Sequence, residues 1–203
     1  MHPRSLFLRL GLVLLLALAY RPPAAAADAN AFMTGIGNRV LNILNDKGST
    51  NEQRKEQFLE LAVQSFDVPK IAQFVLGRYW RTANDEERAR FVDAFKTYMV
   101  NVYWARFNTY AGQIFEATNS QDQGNGTILV TTEIKSPDSS QPSVRVLWSL
   151  VPSGPTFKIR DASLEGISQA LTYREVFASI MERNGGKISN LIDQISSRAN
   201  GSS

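Results

Sequence analysis

The sequence predicts an α+β domain built on a single antiparallel sheet. Three observations carry this reading. Apolar residues recur at helical spacing from about residue 29 to residue 111, the period drops to two after Phe115, and helical spacing returns near Thr172. Helices, then strands, then helices again segregate the two element types, which argues against an alternating, parallel-sheet architecture.

The first helix is predicted over residues 29–45, with Ile36, Val40, Leu41 and Leu44 on one stripe. Thr50-Asn51-Glu52-Gln53 has the spacing of a capping box, in which a hydroxyl and a side-chain amide satisfy the first free backbone N–H groups of a helix. It opens a second helix carrying Phe58, Leu61, Ala62 and Phe66. Pro69 suits the first turn of a short third helix, which Gly77 closes. Asn84-Asp85-Glu86-Glu87 is another capping box, and its acids suit the positive end of the helix dipole. The longest helical pattern starts there.

Ile128, Val130, Thr132 and Ile134 alternate with Leu129, Thr131, Glu133 and Lys135, and Val144, Val146, Trp148 and Leu150 alternate with Arg145, Leu147, Ser149 and Val151. Pro152-Ser153-Gly154-Pro155 reads as a turn into a strand from Phe157 to Leu164. Short connections make this a meander of three or four strands. The closing helical region breaks at Gly185-Gly186 and ends near Arg198, leaving residues 200–203 as a frayed tail.

Composition narrows the chemistry. Arg4 and Arg9 flank an apolar run from Leu6 to Ala19, and Ala25-Ala26-Ala27 fits a signal-peptidase site, so residues 1–27 are expected to be a cleaved secretion signal. The run of roughly 14 apolar residues falls short of the ~20 that span a bilayer. The chain has 22 Lys and Arg against 19 Asp and Glu, but Arg4, Arg9 and Arg21 all fall in the leader. The exported domain, residues 28–199, is therefore close to neutral and has no basic block for nucleic acid. It also has no cysteine, and the single histidine, His2, lies in the leader. That removes thiol nucleophiles, His-assisted serine chemistry and the usual zinc ligand sets, and no cofactor is expected.

The long helix after Asn84 carries two apolar stripes. Phe91, Phe95, Tyr98, Val102 and Ala105 form one, and Val92, Met99, Tyr103, Phe107 and Tyr110 form the other. Together they cover more circumference than docking on one sheet requires. Either the helix is buried between layers, or one stripe meets the core and the other lines a cavity.

Two segments add a resemblance. One runs from Phe66 through Leu76-Gly77-Arg78-Tyr79-Trp80-Arg81; the other runs from Asp161 through Glu165-Gly166-Ile167-Ser168 and Tyr173-Arg174 to Phe177 and Asn184-Gly185-Gly186. Over about residues 31–198 the chain resembles the periplasmic lipid-shuttle proteins of the outer-membrane lipid-asymmetry (Mla) pathway, the MlaC-type or toluene-tolerance family, which has a branch associated with hopanoid biosynthesis. The resemblance implies a soluble periplasmic carrier with six to seven helices packed on a curved sheet and an apolar cavity between the layers. It implies a phospholipid as ligand, passed between an outer-membrane lipoprotein complex and an inner-membrane ABC transporter complex. Val75, Leu76, Tyr79, Phe95, Met99, Val102, Tyr103, Val130, Val146, Trp148 and Phe177 are the candidate cavity wall, each with ordinary core as its alternative. Trp80 and Arg81 are candidates for meeting a head group at the mouth, or form a structural corner. Arg174 braces the Glu165 turn or serves docking. Gln73 departs from the basic residue often found there in the family.

Two other classes stand beside the carrier. An enzyme would use Asp161 and Tyr173 as its acid–base pair. An adaptor would bind a protein through its apolar helix faces and pack solid inside.

Overall fold

The computed structural model describes residues 24–107, 112–138, 140 and 142–199. Residues 1–23 of the expected leader, and the 200–203 tail, lie outside the described residues. The elements follow the expected order: α1 (Ala24–Asn45), α2 (Asn51–Ser65), α3 (Val68–Leu76), α4 (Tyr79–Thr82), α5 (Asp85–Phe107), β1 (Ile114–Asp122), β2 (Ile128–Lys135), β3 (Val144–Ser153), β4 (Thr156–Leu164), β5 (Ile167–Ser168), α6 (Gln169–Arg183) and α7 (Ile188–Ala199).

Both capping boxes form. Thr50 accepts from the Gln53 N–H while the Gln53 side chain accepts from the Thr50 N–H. Asn84 and Glu87 exchange the equivalent pair at 2.9 and 3.0 Å. Pro69 stands in the first turn of α3, and Gly77 ends that helix at a φ of 59°, a conformation that favours glycine.

The sheet is antiparallel, in the order β1-β2-β3-β4-β5. Its fifth strand corrects the expected three or four. β5 is two residues long, paired to Ser163 and Leu164 across a tight turn in which Glu165 and Gly166 take φ of 50° and 82°. Positive φ at both central turn residues matches the twist of a two-residue hairpin. A strand of two residues has no period for a sequence to show. Ser168 then caps α6 by accepting from the Leu171 N–H, so that helix starts three residues before Thr172.

Facing pairs on the packed side of the sheet are Ile128 with Leu150, Val130 with Trp148, Thr132 with Val146 and Ile134 with Val144. One end of this face is filled: Ala29 and Met33 of α1 pack with Ile128, Val130, Leu150, Phe157 and Ile159. A second core joins α3, α5, α6 and α7 through Ile71, Val75, Phe91, Phe95, Phe177 and Leu191. A third sets Phe58 of α2 against Val100 and Trp104 of α5, with the Phe58 and Trp104 rings 5.7 Å apart. The other end of the sheet face stays unfilled between these cores.

Candidate functional site: an apolar cavity in two compartments

The unfilled end is a cavity of about 230 Å³. Its floor is Ile134, Val144, Val146, Trp148, Ala162 and Leu164 of the sheet, and its other walls come from Ile36 and Val40 of α1, Phe58 and Ala62 of α2, Phe95, Met99 and Tyr103 of α5, and Tyr173 of α6. A second compartment of about 280 Å³ adjoins it, walled by Met33, Leu41 and Leu44 of α1, Phe115 of β1, and Gln113 and Ser136. Ile36, Val40, Arg106, Ile134, Val144 and Trp148 line both.

A parity change in β4 shapes the floor. Phe157 and Ile159 pack in the filled core, Ile159 also lining the cavity, and a bulge opposite Ser149 and Leu150 then brings Ala162 and Leu164 to the cavity. The extra residue switches which side chains point inward. Arg160, at the bulge, reaches back to Asp67 with a 2.9 Å ion pair, and Asp161 accepts the Ala170 N–H at 2.9 Å, tying the start of α6 to the sheet.

Trp148 is oriented by Thr132. The hydroxyl of Thr132, with no exposed surface, accepts the indole N–H at 2.8 Å. The Trp148 ring thus presents its apolar body to both compartments, with its one polar atom satisfied.

The polar side chains of the first compartment have partners on the protein: Lys96, Arg160, Asp161 and Gln169 reach Asp93, Asp67, the Ala170 N–H and the Ile167 carbonyl. Tyr103 and Tyr173 interact hydroxyl to hydroxyl. Burial is the main cause that pushes both phenols above their usual ionisation range, with the neighbouring phenols adding to it for Tyr173. Both therefore stay neutral throughout the physiological range. The lumen that remains is almost wholly apolar.

Of the thirteen residues expected at the site, Phe95, Met99, Tyr103, Val146 and Trp148 are in the wall of the first compartment. The others line neither compartment. Val75, Leu76 and Phe177 are buried in the helical core, because the apolar stripe of α3 closes directly on α5 and α6. Val130 is at the filled end of the sheet, under Ala29 and Met33. Val102 is half-buried on α5. Tyr79 packs beside Gly186 and accepts from Arg78 at 2.9 Å. Trp80 lies under the Arg88 guanidinium, 5.6 Å from ring centre, while Arg81 is exposed. Tyr79 and Trp80 thus pack at the corner that follows α3. Arg174 stacks on Phe74 at 4.9 Å, beside Gly77, and does not brace the Glu165 turn.

Sequence reasoning passed over Ile36, Val40, Phe58, Ile134 and Val144 as wall residues. Each belonged to an apolar stripe or an inward strand position, but nothing in a period says whether the space opposite is filled. Among the described residues no group of three or more His, Cys, Asp and Glu could hold a metal ion, and no helix is long and apolar enough to cross a membrane.

This fold and site define a class: an antiparallel sheet covered by helices, with an apolar cavity held between the layers. The chain belongs to the MlaC protein family, whose pattern matches residues 35–197. Its fold is also that of a phospholipid-binding protein from Ralstonia solanacearum solved in complex with a phospholipid. The two share 18% identity over 86% of this chain and 98% of the other, with a TM-score of 0.73.

Proposed function

We propose that the protein is a periplasmic phospholipid carrier. It encloses acyl chains in the two compartments and passes the lipid between an outer-membrane lipoprotein complex and an inner-membrane ABC transporter complex. The observation that carries this is the cavity itself, a largely apolar space between sheet and helices where an adaptor would pack solid. Family membership and the phospholipid held by the Ralstonia solanacearum protein support the choice of ligand.

The energetics require such an enclosure. At ~0.8 kcal/mol per buried CH₂, two chains of about fifteen methylenes represent on the order of 24 kcal/mol against exposure to water. A carrier must replace nearly all of that contact throughout transit, which calls for walls without exposed polar groups. Wall residues such as Met99, with a flexible thioether, suit chains of variable shape.

The enzyme reading has its two residues at the cavity, but their state speaks against it. Tyr173 is held neutral and turned to Tyr103, and Asp161 is engaged by the Ala170 N–H. The almost wholly apolar first compartment suits a hopanoid or another apolar lipid as the second reading. Native mass spectrometry of protein purified from the periplasm without detergent separates these outcomes. Phospholipid adducts are expected; a hopanoid mass selects the second reading, and protein without any lipid overturns both.

A further inference from the structure

A ligand that fills an enclosed space can enter only if a wall moves, and the walls of this cavity are not attached alike. The sheet is bonded strand to strand. α5 is fixed to α6 by edge-on contacts of Phe91 and Phe95 with Phe177, both at 6.0 Å. The third wall is the α1–α2 hairpin, with Ile36 and Val40 on one helix and Phe58 and Ala62 on the other.

The hairpin is tied down at its two bases. Ala29 and Met33 seat the start of α1 in the filled core. At the end of α2, Lys158 of β4 donates to the Val63 and Gln64 carbonyls at 3.3 and 2.7 Å, and the Asp67 N–H donates to the Ile159 carbonyl at 2.9 Å. Toward the tip, polar bonds join the hairpin to itself. Arg54 donates to the Asp46 carbonyl at 3.1 Å, and the Asp46 carboxylate accepts from the Gly48 N–H and the Ser49 hydroxyl at 2.9 and 2.6 Å. Arg39 joins Gln64 across the two helices at 3.0 Å. The hairpin thus holds its own shape.

Between base and tip it meets α5 at the seam of Phe58, Val100 and Trp104. That seam carries a fault: the Trp104 indole N–H is buried with no acceptor among the described residues. An unpaired buried donor destabilises the closed seam, and water that reaches it on opening recovers the loss. α1 is also weakened where its attachment changes. Gly35 stands between Met33, in the filled core, and Ile36 and Val40, in the cavity wall. Nothing lies within 4 Å of where its methyl would be, so packing does not require glycine there, and its effect is to loosen the helix.

We propose that the α1–α2 hairpin is the lid of the cavity, pivoting as a unit about Gly35 in α1 and Phe66-Asp67 after α2, and opening at the Trp104 seam to admit acyl chains. This rests on the carrier reading and assigns its moving wall.

The chain has no cysteine, so introduced thiols are the only ones present. Ala62→Cys and Val100→Cys together place a thiol on each side of the seam. The readout is the rate at which delipidated full-length mature protein takes lipid from vesicles of equimolar phosphatidylethanolamine and phosphatidylglycerol. Oxidation to the disulfide, verified by mass, is expected to slow uptake about tenfold or more, and reductant to restore it. Undiminished uptake with the disulfide in place overturns the lid and leaves the carrier intact.

Spin labels on Lys47→Cys at the tip and Ala89→Cys on α5 cover the case in which the disulfide does not form. Their distance distribution is expected to differ between lipid-free and lipid-loaded protein, while a reference pair on Ala89→Cys and Arg145→Cys of the sheet is unchanged. Movement of the reference pair alone, or of neither pair, overturns the lid. Gly35→Ala is expected to slow uptake about twofold to fivefold while the protein becomes more stable, a split that a purely structural role would not produce. Uptake as fast as wild type in that variant overturns the hinge at Gly35. No uptake by the wild-type protein overturns the carrier reading, and the lid falls with it.

Discussion

Tyr173 and Thr132 show how single polar atoms are managed inside an apolar wall. The Tyr173 phenol is surrounded by the rings of Phe95, Tyr98 and Phe177, with centroids 5.9 to 6.0 Å away, and burial pushes its ionisation well above the usual phenol range. Its neutral form is thus favoured by the fold. Stability from this source is complete below about pH 10 and is lost as pH rises further, because the unfolded chain releases the proton first. Tyr173→Phe is expected to flatten the alkaline limb of a stability–pH profile measured by urea unfolding; an unchanged limb counts against the assignment. Thr132→Val keeps the shape but leaves the Trp148 N–H buried without its acceptor, which costs about 1–3 kcal/mol in the same measurement. The alternation in the sequence placed Thr132 inward, but not the indole that requires its hydroxyl.

At the scale of elements, α1 depends on two glycines with different surroundings. A methyl on Gly37 would overlap the Phe115 ring, whereas Gly35 has nothing within 4 Å of where a methyl would stand. Gly37→Ala is therefore expected to destabilise by about 1–3 kcal/mol through overpacking, and to disturb the second compartment, which Phe115 lines. Gly35→Ala is expected to stabilise by about 0.5–1 kcal/mol, since alanine restricts the unfolded chain and favours the helix. Paired denaturation curves decide it: equal effects from the two substitutions would refute close α1–β1 packing. The caps were legible because they are local, and Thr50 to Gln53 and Asn84 to Glu87 carried their own geometry. β5 was not, because its two residues are ordered by Leu164 and the Glu165-Gly166 turn, not by a pattern of their own.

For the whole molecule the decisive quantity is empty space. Filling it tests the carrier more directly than damaging it. Met99→Trp adds an indole to the first compartment, and it is expected to reduce co-purified lipid several-fold while leaving the melting temperature of lipid-free protein unchanged or higher. Filled voids no longer cost the contacts their walls lack. Undiminished lipid in a folded Met99→Trp protein would show that the ligand lies elsewhere. The same logic explains why α5 misled a reading by stripes. Ala105 fell in an apolar stripe yet is exposed, while Val100 and Trp104 fell in neither stripe and are buried against Phe58. A helix apolar on most sides gives no preferred face, so its neighbours choose one.

The sequence alone determined what depends on near neighbours: the element order, the caps, the inward parity of β2 and β3, and the family that the motifs around Trp80 and Glu165 resemble. Tertiary structure decided which apolar residues face a void. Val130 and Val146 have the same residue type and the same inward orientation, two pairs apart on the sheet face. One is sealed by Ala29 and Met33 while the other lines the cavity. That difference belongs to elements far away in the chain, which is why no local pattern could carry it.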